Sequence, residues 1–293
     1  MAIKTHFQRR QHQRDSLAAE PRAMERYTTS WILPPLALLV IRALFSLYAF
    51  TTIFTEIGYY AAHDNDRQNR RSFSYFTVLG YWGLAFYLAF AAAHTASYWV
   101  RGKSWLSDWP RALQWLHELL YSTVTVFPLL VTTIFWALLA VGATATPYKT
   151  WGNISEHALN SAFALFEILI ARTKPLPWKN IPALVILLAA YLALAYITYA
   201  TENFYVYPFL DPSPNGKRRT GFVAGICIGI LAALIAYFTV VHFLIKLRRY
   251  ITEDRLGMTG KFSSRDAQIQ AERRLGEGAE VVELTDDKLA SAA

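Results

Sequence analysis

The sequence predicts an all-α polytopic membrane protein with six transmembrane helices and both termini on the same, cytosolic side. Three observations carry this reading. Hydrophobic residues make up 54% of the 293-residue chain and aromatic residues 15%. They gather in blocks long enough to cross a hydrocarbon core, which takes roughly 20 residues at about 1.5 Å each. The basic residues lie almost entirely between those blocks, as helix-end punctuation.

The blocks fall at 31–55, 75–99, 112–141, 154–171, 181–204 and 220–245, and the fourth is the shortest and most polar. The first follows some thirty residues rich in Arg and Gln. It is too long for a signal-peptide core and has no small-residue cleavage site behind it, so it is expected to stay as a helix. Of the 29 Lys and Arg, 21 fall in the termini and the loops on their side, seven on the other side, and Arg42 within the first span. The positive-inside rule then puts both termini in the cytosol. The net charge of +8 is accounted for by topology, so nucleic acid is not an expected partner. Residues 1–30 are expected to form a flexible basic tail, 31–245 the membrane domain, and 246–293 a charged, largely disordered tail. The single cysteine, Cys227, excludes intramolecular disulfides and cysteine-based metal sites.

Smaller features fit this frame. Tyr205 to Pro214 reads YVYPFLDPSP, in which interfacial aromatics precede three prolines that cannot continue a helix, so a rigid re-entry turn is expected. Trp99, Trp105, Trp109, Trp151 and Trp178 fall at predicted helix ends, where indoles favour the headgroup zone.

The fourth block begins NISEHALNSAFALFE. Asn153, His157, Asn160, Ala164 and Glu167 step by four, three, four and three, so they share one helical face. An ionisable residue at membrane depth is a functional candidate by default. Glu167 lies about 15 Å further along the helix than His157, and Arg42 is its expected partner. Asn160 suits an interhelical hydrogen bond. Under the predicted topology, Ser72 to Thr77, Asn153 to His157, and Glu202 to Tyr207 all meet one membrane face. Thr77 alone is unremarkable, since threonines in membrane helices commonly bond back to a carbonyl one turn earlier. Thr51, Thr52, Thr132 and Thr133 are expected to do so. His94, His117 and His242 form no paired motif for haem, and the repeated histidine boxes of a membrane di-iron desaturase are absent.

Four stretches in order resemble the androgen-induced and androgen-dependent TFPI-regulating proteins: FSYFT at 73–77, VFPLLVTTIFWALL at 126–139, the helix from His157 to Glu167, and YVYPFLD at 205–211. That family comprises six-helix membrane hydrolases of fatty acid esters of hydroxy fatty acids. The resemblance implies a nucleophile at Thr77 and a second essential residue at His157. It implies a lipid ester as substrate and no cofactor or metal. The mechanism is chemically coherent, because a threonine hydroxyl needs a base within reach and an imidazole supplies one. Asn153, Asn160, Glu167, Glu202, Tyr207 and Arg42 are the candidate supporting residues. The expected setting is the endoplasmic reticulum, another endomembrane or the plasma membrane, with membrane lipids as the surroundings. Two other classes compete: a transporter or channel using the polar stripe as a pathway, which predicts inverted repeats and broken helices, and a non-catalytic regulatory membrane protein in which the stripe is packing.

Overall fold

A computed structural model describes residues 23–63, 65–213, 219–258, 260–262 and 264–265. The remaining parts of the two expected tails, 1–22 and 266–293, lie outside the described residues. Helix α1 (Pro35–Ala62) opens with proline in its first turn, where the missing N–H costs nothing. A short helix α2 (Asp66–Ser72) and then α3 (Phe76–Arg101) follow. Gly102, at φ 70, closes α3 through a bond from its N–H to the Tyr98 carbonyl, a conformation that strains any other residue. After the one-turn α4 (Trp105–Asp108), α5 (Arg111–Ile134) runs on into a π-helical turn, Phe135–Leu139.

The fourth block is α6 (Pro147–Ile154), a π-helical turn at Ser155–Leu159, and α7 (Asn160–Ile170). Helix α8 (Ile181–Glu202) ends at Asn203, and Pro208 opens a 3-10 turn, Pro208–Leu210. Helix α9 (Thr220–Arg249) continues through a third π-helical turn to Arg255. Among the described residues, five helices are long and apolar enough to cross a membrane, spanning Pro35–Ala62, Phe76–Arg101, Arg111–Leu139, Trp178–Glu202 and Thr220–Arg255. The fourth block, which the sequence shows to be the most polar, is helical but does not meet that measure.

Helices α1 and α3 pack along most of their length. Ala49, Ala85, Leu38, Leu84 and Leu88 are fully buried, and small residues at the crossing let the backbones approach. The Ser46 hydroxyl donates to the Ala85 carbonyl at 3.0 Å. The domain extends past the limits set by hydropathy. Tyr27, Thr28, Thr29 and Ser30, within the stretch assigned to a tail, are buried, and Ser30 bridges both Ala171 and Lys261. The segment closes one end of the bundle.

At the centre of that end, Arg42 and Glu167 are both fully buried and joined by two parallel bonds, Nε to Oε1 at 2.7 Å and Nη2 to Oε2 at 2.6 Å. Arg42 Nη1 also donates to the Tyr27 carbonyl and to Thr95, each at 2.8 Å, and the Tyr87 hydroxyl donates to Glu167 at 3.2 Å. One ion pair thus ties α1, α3, α7 and the N-terminal segment together. Truncating one member leaves an uncompensated buried charge. Glu167→Ala is therefore expected to cost about 3–5 kcal/mol, read as thermal unfolding in detergent. The double replacement Arg42→Met, Glu167→Met should be markedly more stable than the single one.

Candidate active site

Thr77 sits in the first turn of α3, whose N-cap Tyr75 supplies no side-chain bond. Leu79 is the first residue there whose N–H bonds back, to the Tyr75 carbonyl at 3.2 Å. The N–H groups of Phe76, Thr77 and Val78 therefore have no acceptor within the helix and stand at its positive end. Two phenols come to this turn: the Tyr207 hydroxyl lies against the side chain and N–H of Thr77 and the N–H of Phe76, and the Tyr191 hydroxyl lies beside that of Tyr207. Tyr191 also reaches the Ser74 carbonyl at 3.0 Å. Burial raises the Tyr207 hydroxyl above its ordinary pKa, so it stays a proton donor at neutral pH.

Two cavities open at Thr77. One, of about 410 Å³, runs between α3, α5 and α8 and includes Tyr81, Pro128 and Asn160 in its wall. The other, of about 280 Å³, runs toward α9 and the Tyr207 turn and includes Phe135 and Cys227. Phe76, Thr77, Val131 and Tyr191 line both. The walls are mostly apolar, with a few convergent hydroxyls at the junction, which is how small-molecule sites are generally built.

His157 is buried inside the π-helical turn, and its ring lies flat on Phe135 with centroids 3.5 Å apart and planes 1° apart. Its Nδ1 is buried without a partner, while its carbonyl accepts from the Trp136 indole at 2.9 Å. It does not hydrogen-bond to Thr77 and lines neither cavity. Its links to them are Phe135, which walls the smaller, and Asn160, one turn along, which walls the larger.

The other candidates divide. Asn160 accepts from Thr132 at 3.1 Å, and Thr132 also bonds Ser161 at 2.7 Å, so Thr132 does not bond back to its own helix as expected. Thr51, Thr52 and Thr133 do. Asn153 donates to the Ala143 carbonyl at 3.0 Å and pins the preceding loop. Glu202 pairs at the surface with Arg67 and Arg71, at 3.9 and 3.7 Å, away from Thr77. Arg42 and Glu167 hold the opposite end of the bundle. Tyr207 is the supporting candidate that reaches Thr77.

Two residues escape the sequence reading. Tyr191 is a mid-span tyrosine with no motif around it. Glu156 falls off the predicted stripe, yet Ser155, Glu156 and His157 are all buried, because a π-helical turn carries an extra residue and shifts the buried face. The Glu156 carboxyl lies against that of Glu56 on α1, and both line a small cavity with Ser72, Asn69 and Tyr60. Gly152 makes room for this pair: a Cβ there would stand 2.6 Å from Glu56 Oε1.

This arrangement defines a polytopic membrane protein with a hydroxyl-lined site in the membrane, fed by apolar cavities. The chain belongs to the FAR-17a/AIG1-like protein family, whose profile matches residues 38–242. No curated protein and no solved structure matches. Gly152→Ala is expected to destabilise the protein by about 1–3 kcal/mol through overpacking. Combining it with Glu56→Ala should recover most of the loss relative to Glu56→Ala alone, measured as a double-mutant cycle on unfolding temperature.

Proposed function

We propose that the protein is an integral-membrane hydrolase of lipid esters, of the class of fatty acid esters of hydroxy fatty acids, with Thr77 as nucleophile and His157 as base. The observation that carries this reading is that Thr77 stands where two apolar cavities meet. An ester joining two long chains has an apolar arm on each side of its carbonyl, so one arm enters each cavity and the carbonyl rests at the threonine. Family membership supports the same assignment.

In the proposed reaction the Thr77 hydroxyl attacks the carbonyl carbon and its proton passes to His157. The tetrahedral oxyanion is held by the Tyr207 and Tyr191 phenols, the first of which is positioned by the N–H groups of Phe76 and Thr77. As the intermediate collapses, His157 returns the proton to the leaving alkoxide, releasing the hydroxy fatty acid. Water, deprotonated by His157, then cleaves the acyl-threonine. Phe135 lies between His157 and the cavity, and catalytic hydrogen bonds commonly tighten only in the substrate complex. In this mechanism the acyl arm displaces Phe135 and brings Thr77 and His157 into contact.

The test is hydrolysis of a long-chain branched ester by detergent-purified protein. Thr77→Ala should reduce turnover to background while Thr77→Ser retains part of it, and His157→Ala should lower it by about 10²–10⁴-fold. Tyr207→Phe should lower kcat by up to about 10²-fold with little change in KM, as loss of an oxyanion donor does. Ala190→Trp, filling the larger cavity, should abolish hydrolysis of esters with two long arms and spare those with one short arm. Full activity in the Thr77 and His157 variants would contradict the assignment.

A further inference from the structure

At the end of the bundle sealed by the N-terminal segment, four guanidinium groups converge from three parts of the chain: Arg26 before α1, Arg172 after α7, and Arg248 and Arg249 at the end of α9. They share one carboxylate. Glu253 pairs with Arg26, with Arg172 at 3.5 Å and with Arg249 at 4.0 Å. Arg248 instead donates one nitrogen to the Thr173 carbonyl. Five nitrogens are left buried with no acceptor among the described residues: Nε of Arg26, Arg172, Arg248 and Arg249, and Nη1 of Arg248.

Guanidinium groups keep their charge under any accessible condition, so the cluster cannot discharge itself by losing protons. Among the described residues, these four positive charges against the one carboxylate paired with them leave an excess of three, in a place where Arg248 is only 6% exposed. A buried charge of that kind calls for a counter-ion. The side chains of Arg26, Arg172 and Arg249 keep 15%, 11% and 36% of their surface open, so three of the four are reachable from outside the bundle. The backbone at Gly260 closes over Arg172, with φ +114 and no room for a Cβ, which would stand 2.6 Å from the Arg172 side chain. The cluster lies on the membrane side that the charge distribution makes cytosolic, where anionic headgroups gather.

We propose that the cluster of Arg26, Arg172, Arg248 and Arg249 is an anion site for a phosphate group, either inorganic phosphate or the phosphomonoester headgroup of a membrane lipid. A phosphate near pH 7 carries about −1.5 to −2 charge and several strong acceptor oxygens, which offsets much of the excess charge and supplies acceptors of the kind the cluster lacks. Arginine forks bind such groups with paired bonds.

The full chain is placed in phosphatidylcholine nanodiscs with and without phosphatidic acid, and inorganic phosphate is titrated against thermal unfolding and by phosphorus NMR, with chloride at equal ionic strength as control. Phosphate, phosphatidic acid or both should raise the unfolding temperature, and which of them does so identifies the source. Arg26→Gln with Arg172→Gln should weaken the response about tenfold or more, as loss of charge-assisted bonds does. Glu253→Gln keeps every arginine and removes the competing carboxylate, so it should tighten binding several-fold, whereas a purely structural ion-pair network would lose stability without any gain in phosphate affinity. The proposal is overturned if neither phosphate nor phosphatidic acid shifts unfolding beyond the chloride control, or if the shift is the same in the arginine variants and in Glu253→Gln.

Discussion

The buried pair of Arg42 and Glu167 is the interaction on which the rest of the bundle depends. The apolar faces of α1, α3, α5 and α7 can slide or rotate against one another at little cost, because lipid is as good a neighbour as another leucine. A two-bond guanidinium–carboxylate contact cannot slide. Once it forms, with Tyr27, Thr95 and Tyr87 taking further bonds on both groups, the rotation of α7 about its axis is set, and with it the depth and direction of the π-helical turn that carries His157. Ion pairs of this kind are better understood as specifying an arrangement than as adding stability. Here the arrangement they specify reaches to the other end of the same helix.

That other end is built from less regular parts. Two π-helical turns, one ending the third span and one inside the fourth, face each other where Phe135 stacks on His157. Such turns widen a helix, free a carbonyl and change which residues face inward, and they recur at functional sites. In this protein one of them turns Glu156 into the bundle to meet Glu56 and exposes the His157 carbonyl to Trp136. The first turn of α3 contributes N–H groups with no acceptor in the helix, and the loop after α8 brings Tyr207 back to them. The polarity is concentrated where the cavities join, and the walls beyond it are apolar.

Much of this was legible in the sequence, because each legible part rests on a local or periodic signal. Long apolar blocks with basic punctuation announce the helices. The four-three spacing of Asn160 and Glu167 puts them on the buried face, and the cost of a lone arginine in lipid makes Arg42 the partner of Glu167. The approach of the Tyr207 loop to the first turn of α3 follows from topology, whereas His157 shares neither a hydrogen bond nor a cavity with Thr77. What was not legible depends on contacts made only after folding. A π-helical turn has no local composition that marks it, so Glu156 reads as lying off the stripe. Tyr191 reads as one more aromatic in an apolar span, and Thr132 exchanges the usual bond to its own helix for Asn160 and Ser161. The boundaries at Tyr27 to Ser30 and beyond Lys246 were missed because hydropathy detects the membrane's thickness, not the polar packing that closes the bundle's end.

The central claim is that the Thr77 hydroxyl is the group that takes the acyl chain from a lipid ester. It is tested most directly by mixing the purified protein with a long-chain branched ester, quenching in acid during the first turnovers, and mapping the acyl group by peptide mass spectrometry. The account predicts an acyl ester on Thr77, accumulating when deacylation is slowed and absent from Thr77→Ala. An acyl group on another residue, or turnover with no acyl-enzyme at any time, would contradict it.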